Sequence, residues 1–224
     1  MMHHVSKQAL RHGTHKLTKS FMPATQTTVR YLNLHEYQSK DLMEAYGVNV
    51  QKGKMAESAA DAASVAKWIK DENPNAELIL KGQIHAGGRG KGHFDSGLKG
   101  GVQICNTPDE VEAYTKQMLG YKLFTHQTGE EGQLCQKVLI NEGITIDSEK
   151  YLAILMDRAC NGPAIVASAK GGMDIEAVAE EDPDAIITEV VDPRTGVTDE
   201  QTKRVAEAIG FAPEKVPVAQ KQIS

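Results

Sequence analysis

The segment from Ala76 to Gly101, AELILKGQIHAGGRGKGHFDSGLKGG, carries Lys81 out of an apolar run and straight into a loop with Gly87, Gly88, Gly90 and Gly92, Arg89 and Lys91. That combination suits a polyphosphate. Glycines lacking Cβ let successive backbone N–H groups turn toward one anion and approach it closely. A lysine at a strand end and an arginine in the loop add full charges. The loop is not a Walker A motif: Gly82 and Gly87 have the GxxxxG separation, but Gly88 stands where lysine is required and no Ser or Thr follows. Nor is it a dinucleotide fingerprint, since GxGxxG begun at Gly88 and Gly90 would need glycine at His93. A flexible glycine hairpin with solvated charges has the same composition. Residues elsewhere must separate the two readings.

The elements that would position this loop alternate between helix and strand. Leu34 to Tyr46 spaces Leu34, Tyr37, Leu42 and Tyr46 for a helix that stops at Gly47, with packing as its expected role. Ser58 followed by Asp61 opens an alanine-rich helix toward Lys70, closed by Asn73 and Pro74. ELILK and GVQICN read as strands, and Thr107-Pro108-Asp109-Glu110 places a cap, a first-turn proline and two acids before a helix ending at Gly120. KVLINE, KYLAILMDR and PAIVASA are further strands, the last two joined by Cys160-Asn161-Gly162, whose Asn-Gly pair predicts an antiparallel hairpin. GGMDIEAVAEE starts a helix, IITEVV is a strand, and Asp199 to Ile209 is a helix before Gly210. No internal repeat or long linker interrupts this order.

Charge and cysteine content narrow the classes. The formal charge is −5, but Lys7, Arg11, Lys16, Lys19 and Arg30 all precede the first acid, Glu36, and without them 20 basic residues face 30 acidic ones. A body of that sign argues against general nucleic-acid binding. The basic, acid-free start over 1–31 is expected to be a mitochondrial-type targeting segment, with a disordered basic tail as the alternative. No apolar run is long enough for a membrane span. Cys105, Cys135 and Cys160 form no CxxC, and the histidines lack paired spacing. Structural thiols in a reducing compartment and no protein-built metal site are therefore expected.

NLHEYQSKDLMEAYGV (33–48), KGQIHAGGRGKG (81–92), SGLKGGV (96–102), KYLAILMDR (150–158) and GGMDIEAVAEEDPDAII (171–187) together resemble the β subunit of succinate–CoA ligase, from Asn33 to about Pro217. The resemblance is closest to the mitochondrial ADP-forming type and implies an α+β, ATP-grasp fold of two lobes, which the mixed element order favours over a P-loop sheet. The smaller lobe would span 53–140. The larger would combine 33–52 with 141–224 and be incomplete. By the same resemblance Lys81 lies against the nucleotide phosphates, Gly88-Arg89-Gly90 is the phosphate triplet, Glu142 stands at the lobe connection beside the purine, and Glu149 binds the ribose hydroxyls. An ionised carboxylate accepts enough hydrogen bonds to hold both hydroxyls. Ile144 and Thr145 follow as wall contacts.

The resemblance leaves other residues out of the site. The family's phosphorylated histidine lies on its α subunit, so His85 is expected to be local structure. Arg158 and Lys170 are also left out, and Trp68 is expected in the core or on a lobe surface.

The implied activity is a ligase of the tricarboxylic acid cycle. Succinyl-CoA reacts with phosphate, the phosphoryl group passes to the α-subunit histidine, and that histidine phosphorylates a nucleoside diphosphate held by the β subunit. ATP/ADP is the preferred nucleotide, with GTP/GDP as the alternative. Implied partners are the α subunit, in a heterodimer, and succinate, CoA and phosphate through the complex, without nucleic acid or membrane. The family's Mg²⁺ ligands and second domain lie beyond the matched region, so the chain alone is expected to be inactive. Two other readings stay open: a non-catalytic nucleotide-binding protein competing for the α subunit, and another ATP-grasp acyl-CoA ligase or lyase.

Overall fold

The computed structural model describes residues 33–172 and 175–224; the targeting segment expected over 1–31 lies outside them. The first helix, α1 (Glu36–Ala45), ends where Gly47 adopts a φ of +82°, a conformation glycine takes without a Cβ clash. Strand β1 (Gly53–Ala56) leads to α2 (Ala59–Glu72), capped by the Ser58 hydroxyl, which accepts from the Asp61 N–H. β2 (Leu78–Gly82) buries Leu78 and Leu80 while Ile79 and Lys81 stay partly covered. Side chains alternate along a strand. Lys81 therefore emerges on the face away from the core.

After the glycine loop come the two-residue β3 (His93–Phe94) and β4 (Val102–Cys105). Thr107 caps α3 (Pro108–Met118) by accepting from the Glu110 N–H, with Pro108 in the first turn. Two short strands, β5 (Lys122–Phe124) and β6 (Gln133–Leu134), precede β7 (Val138–Glu142). The remaining elements are β8 (Tyr151–Asp157), β9 (Gly162–Ser168), α4 (Ile175–Glu181), β10 (Ile186–Val190), α5 (Asp199–Ala208) and α6 (Val216–Ile223).

All strand pairs are antiparallel. One sheet runs β1-β7-β2-β4, a second β10-β9-β8, and a small third β3-β5-β6. All four strands of the first sheet and all three of the third come from 53–142, and the boundary expected between 140 and 141 falls inside β7. Ala62, Ala66 and Ile69 of α2 and Val111 and Met118 of α3 pack with Leu78, Leu80, Val138 and Ile140 in one core. Each large side chain fully buried there stabilises by about 1.5–3 kcal/mol. A second core sets Val205 of α5 and the adjoining Ile209 against Ile165 and Ala167 of β9.

Three local expectations change. The hairpin between β8 and β9 forms, but it turns through four residues, 158–161, with Asn161 at a φ of +52° and Gly162 already paired with Asp157. Helix α1, expected to pack, buries none of its residues. Helix α6 and the short β1, β3, β5 and β6 join the elements read from the sequence.

Candidate functional site

The exit of β2 is the centre of charge. Lys81 Nζ donates to Glu36 Oε1 at 2.9 Å, and Arg89 Nη2 donates to Glu36 Oε2 at 2.6 Å. Arg89 Nη1 also donates to the Gly82 carbonyl at 2.8 Å. One carboxylate from α1 thus bridges a strand lysine and a loop arginine lying 45 and 53 residues further along. Burial alone would push the Glu36 carboxyl up, but the hydrogen bonds and charges of Lys81 and Arg89 bring it down to about 2 from 4.5.

The glycine loop has a fixed shape. Gly88 adopts a φ of +70°, and a Cβ there would come within 2.5 Å of the His126 ring. Arg89–Lys91 then forms a single 3₁₀ turn. The Gly100-Gly101 pair braces it from behind: the Gly101 N–H donates to the Arg89 carbonyl at 2.7 Å and the Gly100 N–H to the Gly92 carbonyl at 2.8 Å. A side chain on Gly101 would run into Leu123. SGLKGGV is therefore the scaffold of the loop. The backbone N–H groups of Gly88, Arg89 and Gly90 have no hydrogen-bond partner among the described residues. Three consecutive open amides beside two cations form an anion-binding nest.

Beneath α1 lies a cavity of about 600 Å³, lined among others by Lys40, Gln51, Lys54, Trp68, Asn141 and Glu142. Its size falls within the range of small-molecule sites. Lys40 Nζ donates to Gln51 Oε1 at 2.6 Å. Burial first, and then the Lys81 charge, lower the pKa of Lys40 against the pull of Glu36. Trp68 is partly buried against the main core, and Lys54 lies 4.2 Å from its ring centre. Ile144 lines an adjoining hollow that shares Lys40, Gln51 and Glu142 with the cavity.

Lys81 and the Gly88-Arg89-Gly90 triplet therefore converge, and Glu142 lines the cavity. Glu149 is exposed and is not among the residues lining that cavity. It packs against Gly171 and Gly172, where any Cβ would overlap it. His85 stacks on His35 with ring centres 3.9 Å apart, a structural contact. Burial, followed by the nearby His85, Lys137 and Arg89 charges, lowers the His35 pKa. The residue missed by sequence reasoning is Glu36, whose only signal was its place in the HEYQSK wording. Among the described residues no group of three or more His, Cys, Asp or Glu could hold a metal ion.

Antiparallel sheets layered with helices define an α+β protein, in which a strand lysine and a loop arginine meet beside open amides. A family model described as an ATP-grasp domain matches residues 33–224, and the chain belongs to that family. It is 50% identical over 196 residues to a protein of Dictyostelium discoideum named as the mitochondrial β subunit of GDP-forming succinate–CoA ligase, covering 87% of this chain and 46% of that one. It is 45% identical over 194 residues to the ADP-forming counterpart from the same organism, covering 87% and 43%. The chain thus spans less than half the length of these relatives. Among solved structures it resembles ATP citrate lyase from Methanothrix soehngenii in complex with citrate and coenzyme A, with a TM-score of 0.55 at 18% identity over 85% of this chain and 42% of that one. That likeness shows the fold.

Proposed function

We propose that residues 33–224 are nucleotide-binding sequence of a succinate–CoA ligase β subunit, with the phosphates held at Lys81 and the Gly88-Arg89-Gly90 loop and the purine toward Glu142. The observation that carries this reading is the meeting of Lys81 and Arg89 on Glu36 beside three open amides. A polyphosphate offers these cations and amides more negative oxygens than one carboxylate can, so the tail would take them over from Glu36. In phosphoryl transfer such groups act by positioning and by neutralising charge. This chain contributes no nucleophile to the reaction. For the magnesium that the resemblance implies, the described residues offer no cluster of three or more His, Cys, Asp or Glu.

Division into a smaller lobe over 53–140 and a larger one over 33–52 and 141–224 belongs to the same proposal, as does Glu149 as the ribose ligand. Placing Glu149 at the nucleotide requires the segment after Glu142 to close over the cavity. ADP/ATP is the preferred nucleotide. The GDP-forming and ADP-forming relatives are similar to the chain at 50% and 45% identity, so GDP/GTP is tested beside it. An α subunit as partner, succinate, CoA and phosphate as substrates of the assembled enzyme, and a mitochondrial or related organelle are the setting those relatives' names support.

Calorimetric titration of the chain with ADP and GDP tests the reading. Lys81→Ala removes charge-assisted hydrogen bonds worth about 1.5–3 kcal/mol, so it should weaken binding by roughly ten- to a hundredfold with the fold intact. Glu149→Ala should weaken it too. Affinity equal to the parent's in both variants would overturn the site.

A further inference from the structure

We propose that Asn141 reads the base of the nucleotide, its side-chain amide pairing with the hydrogen-bonding edge of the purine. The inference rests on the nucleotide reading above and goes beyond it by assigning a contact residue that the phosphate motifs do not indicate. Asn141 is only 1% exposed, yet its Oδ1 and Nδ2 have no hydrogen-bond partner among the described residues. Buried amides are nearly always paired, and leaving one unpaired is costly. A strand of the sequence VLIN needs no such residue for its packing: Val138, Leu139 and Ile140 are buried apolar neighbours, and another apolar side chain would serve.

Its surroundings say what the amide is for. In the sheet register Asn141 faces Gly53 on one side and Ile79 on the other, and Leu139 faces Lys81. By the alternation of strand side chains, Ile79, Lys81, Leu139 and Asn141 share the face away from the main core. Asn141 and Glu142 both line the 600 Å³ cavity. Gly53 keeps this position open, since a Cβ there would overlap Asn141 Oδ1. The cavity wall therefore includes a buried amide whose one acceptor oxygen and two N–H donors are uncommitted. A purine edge offers the matching donor-and-acceptor pattern, an acceptor ring nitrogen beside the amino group in adenine or a ring N–H beside the oxo group in guanine. Phosphates and aliphatic acids offer acceptors alone.

Two readouts separate this role from a structural one. In Asn141→Val, affinity for whichever of ADP and GDP the parent binds more tightly should fall about tenfold, the cost of one lost pairing that leaves a polar edge unmet. Affinity for ribose 5-diphosphate, which keeps sugar and phosphates without a base, should be unchanged. The variant should also melt at a higher temperature than the parent, because the unpaired amide is gone. Nucleotide affinity equal to the parent's, an equal loss for ribose 5-diphosphate, or a lower melting temperature would overturn the inference. Asn141→Ala provides the same comparison of affinities should valine prevent folding, without the melting criterion, since alanine also leaves a cavity. If the parent binds ribose 5-diphosphate and nucleotide equally, the nucleotide reading survives and base recognition by Asn141 falls. If it binds neither, both fall.

Discussion

Glu36 shows how one side chain can set the electrostatics of a site without belonging to its motif. Its carboxyl, held at about 2 against 4.5, contributes stability that is fully present above pH 4.5 and is lost as pH falls toward 2. The contribution is at most about 3 kcal/mol. Urea denaturation of the parent and of Glu36→Gln should therefore differ by about 1–3 kcal/mol at pH 7, with a gap that shrinks below pH 4.5 and closes only once pH has fallen below about 2. A gap that stays constant with pH would mean the ion pairs do not stabilise the folded chain. The cations of this site were legible in the sequence because lysine, glycines and arginine follow one another within a single loop. Their carboxylate was not, because the pairing spans 45 and 53 residues and charge complementarity has no period along a chain. Asn141 was hidden for a related reason: a polar residue ending an apolar strand reads equally as an exposed strand end, and only burial without a partner marks it out.

At the scale of elements, chemical punctuation decided what could be read. Ser58 and Thr107 cap α2 and α3 through their hydroxyls, and both helices begin where those caps predict; Thr198 caps α5 in the same way, a cap the sequence reading did not name. Thr107→Ala should cost about 1 kcal/mol, measured by chemical denaturation at constant m. A loss below about 0.3 kcal/mol would show that Pro108 and the first-turn acids start α3 unaided. Elements lacking such signals escaped notice. β3 and β6 have two residues each, too few for an alternation to be seen. α6 begins at Val216-Pro217 behind an uncapped Lys215, and proline there looks like a stop although it is tolerated in a first turn. The β8–β9 hairpin was recognised from Asn161-Gly162, but the left-handed residue is Asn161 and the glycine begins the strand.

For the whole molecule the apolar balance is uneven. The sheet of β1, β7, β2 and β4 has a face sealed by α2 and α3. β8, an edge strand of its own sheet, exposes Leu152, Ile154, Leu155 and Met156, with Ile154 at 67% and Met156 at 75%. Exposed apolar edges favour self-association. Ile154→Lys should raise the concentration at which the chain stays monodisperse in light scattering and shift its melting temperature by no more than a few degrees. Association unchanged by the lysine would place the sticky surface elsewhere.

β7 sits between β1 and β2 although it follows both by a long stretch of chain, pairing Gly53 with Asn141 and Leu78 with Glu142. On a ribosome, β2 and β4 can join as soon as both have emerged, but β1 has nothing to bond with until the codons for 138–142 have been translated. Folding of this half is therefore gated by the late arrival of its middle strand. That same strand brings Asn141 and Glu142, so the cavity wall and the completed sheet come into being together.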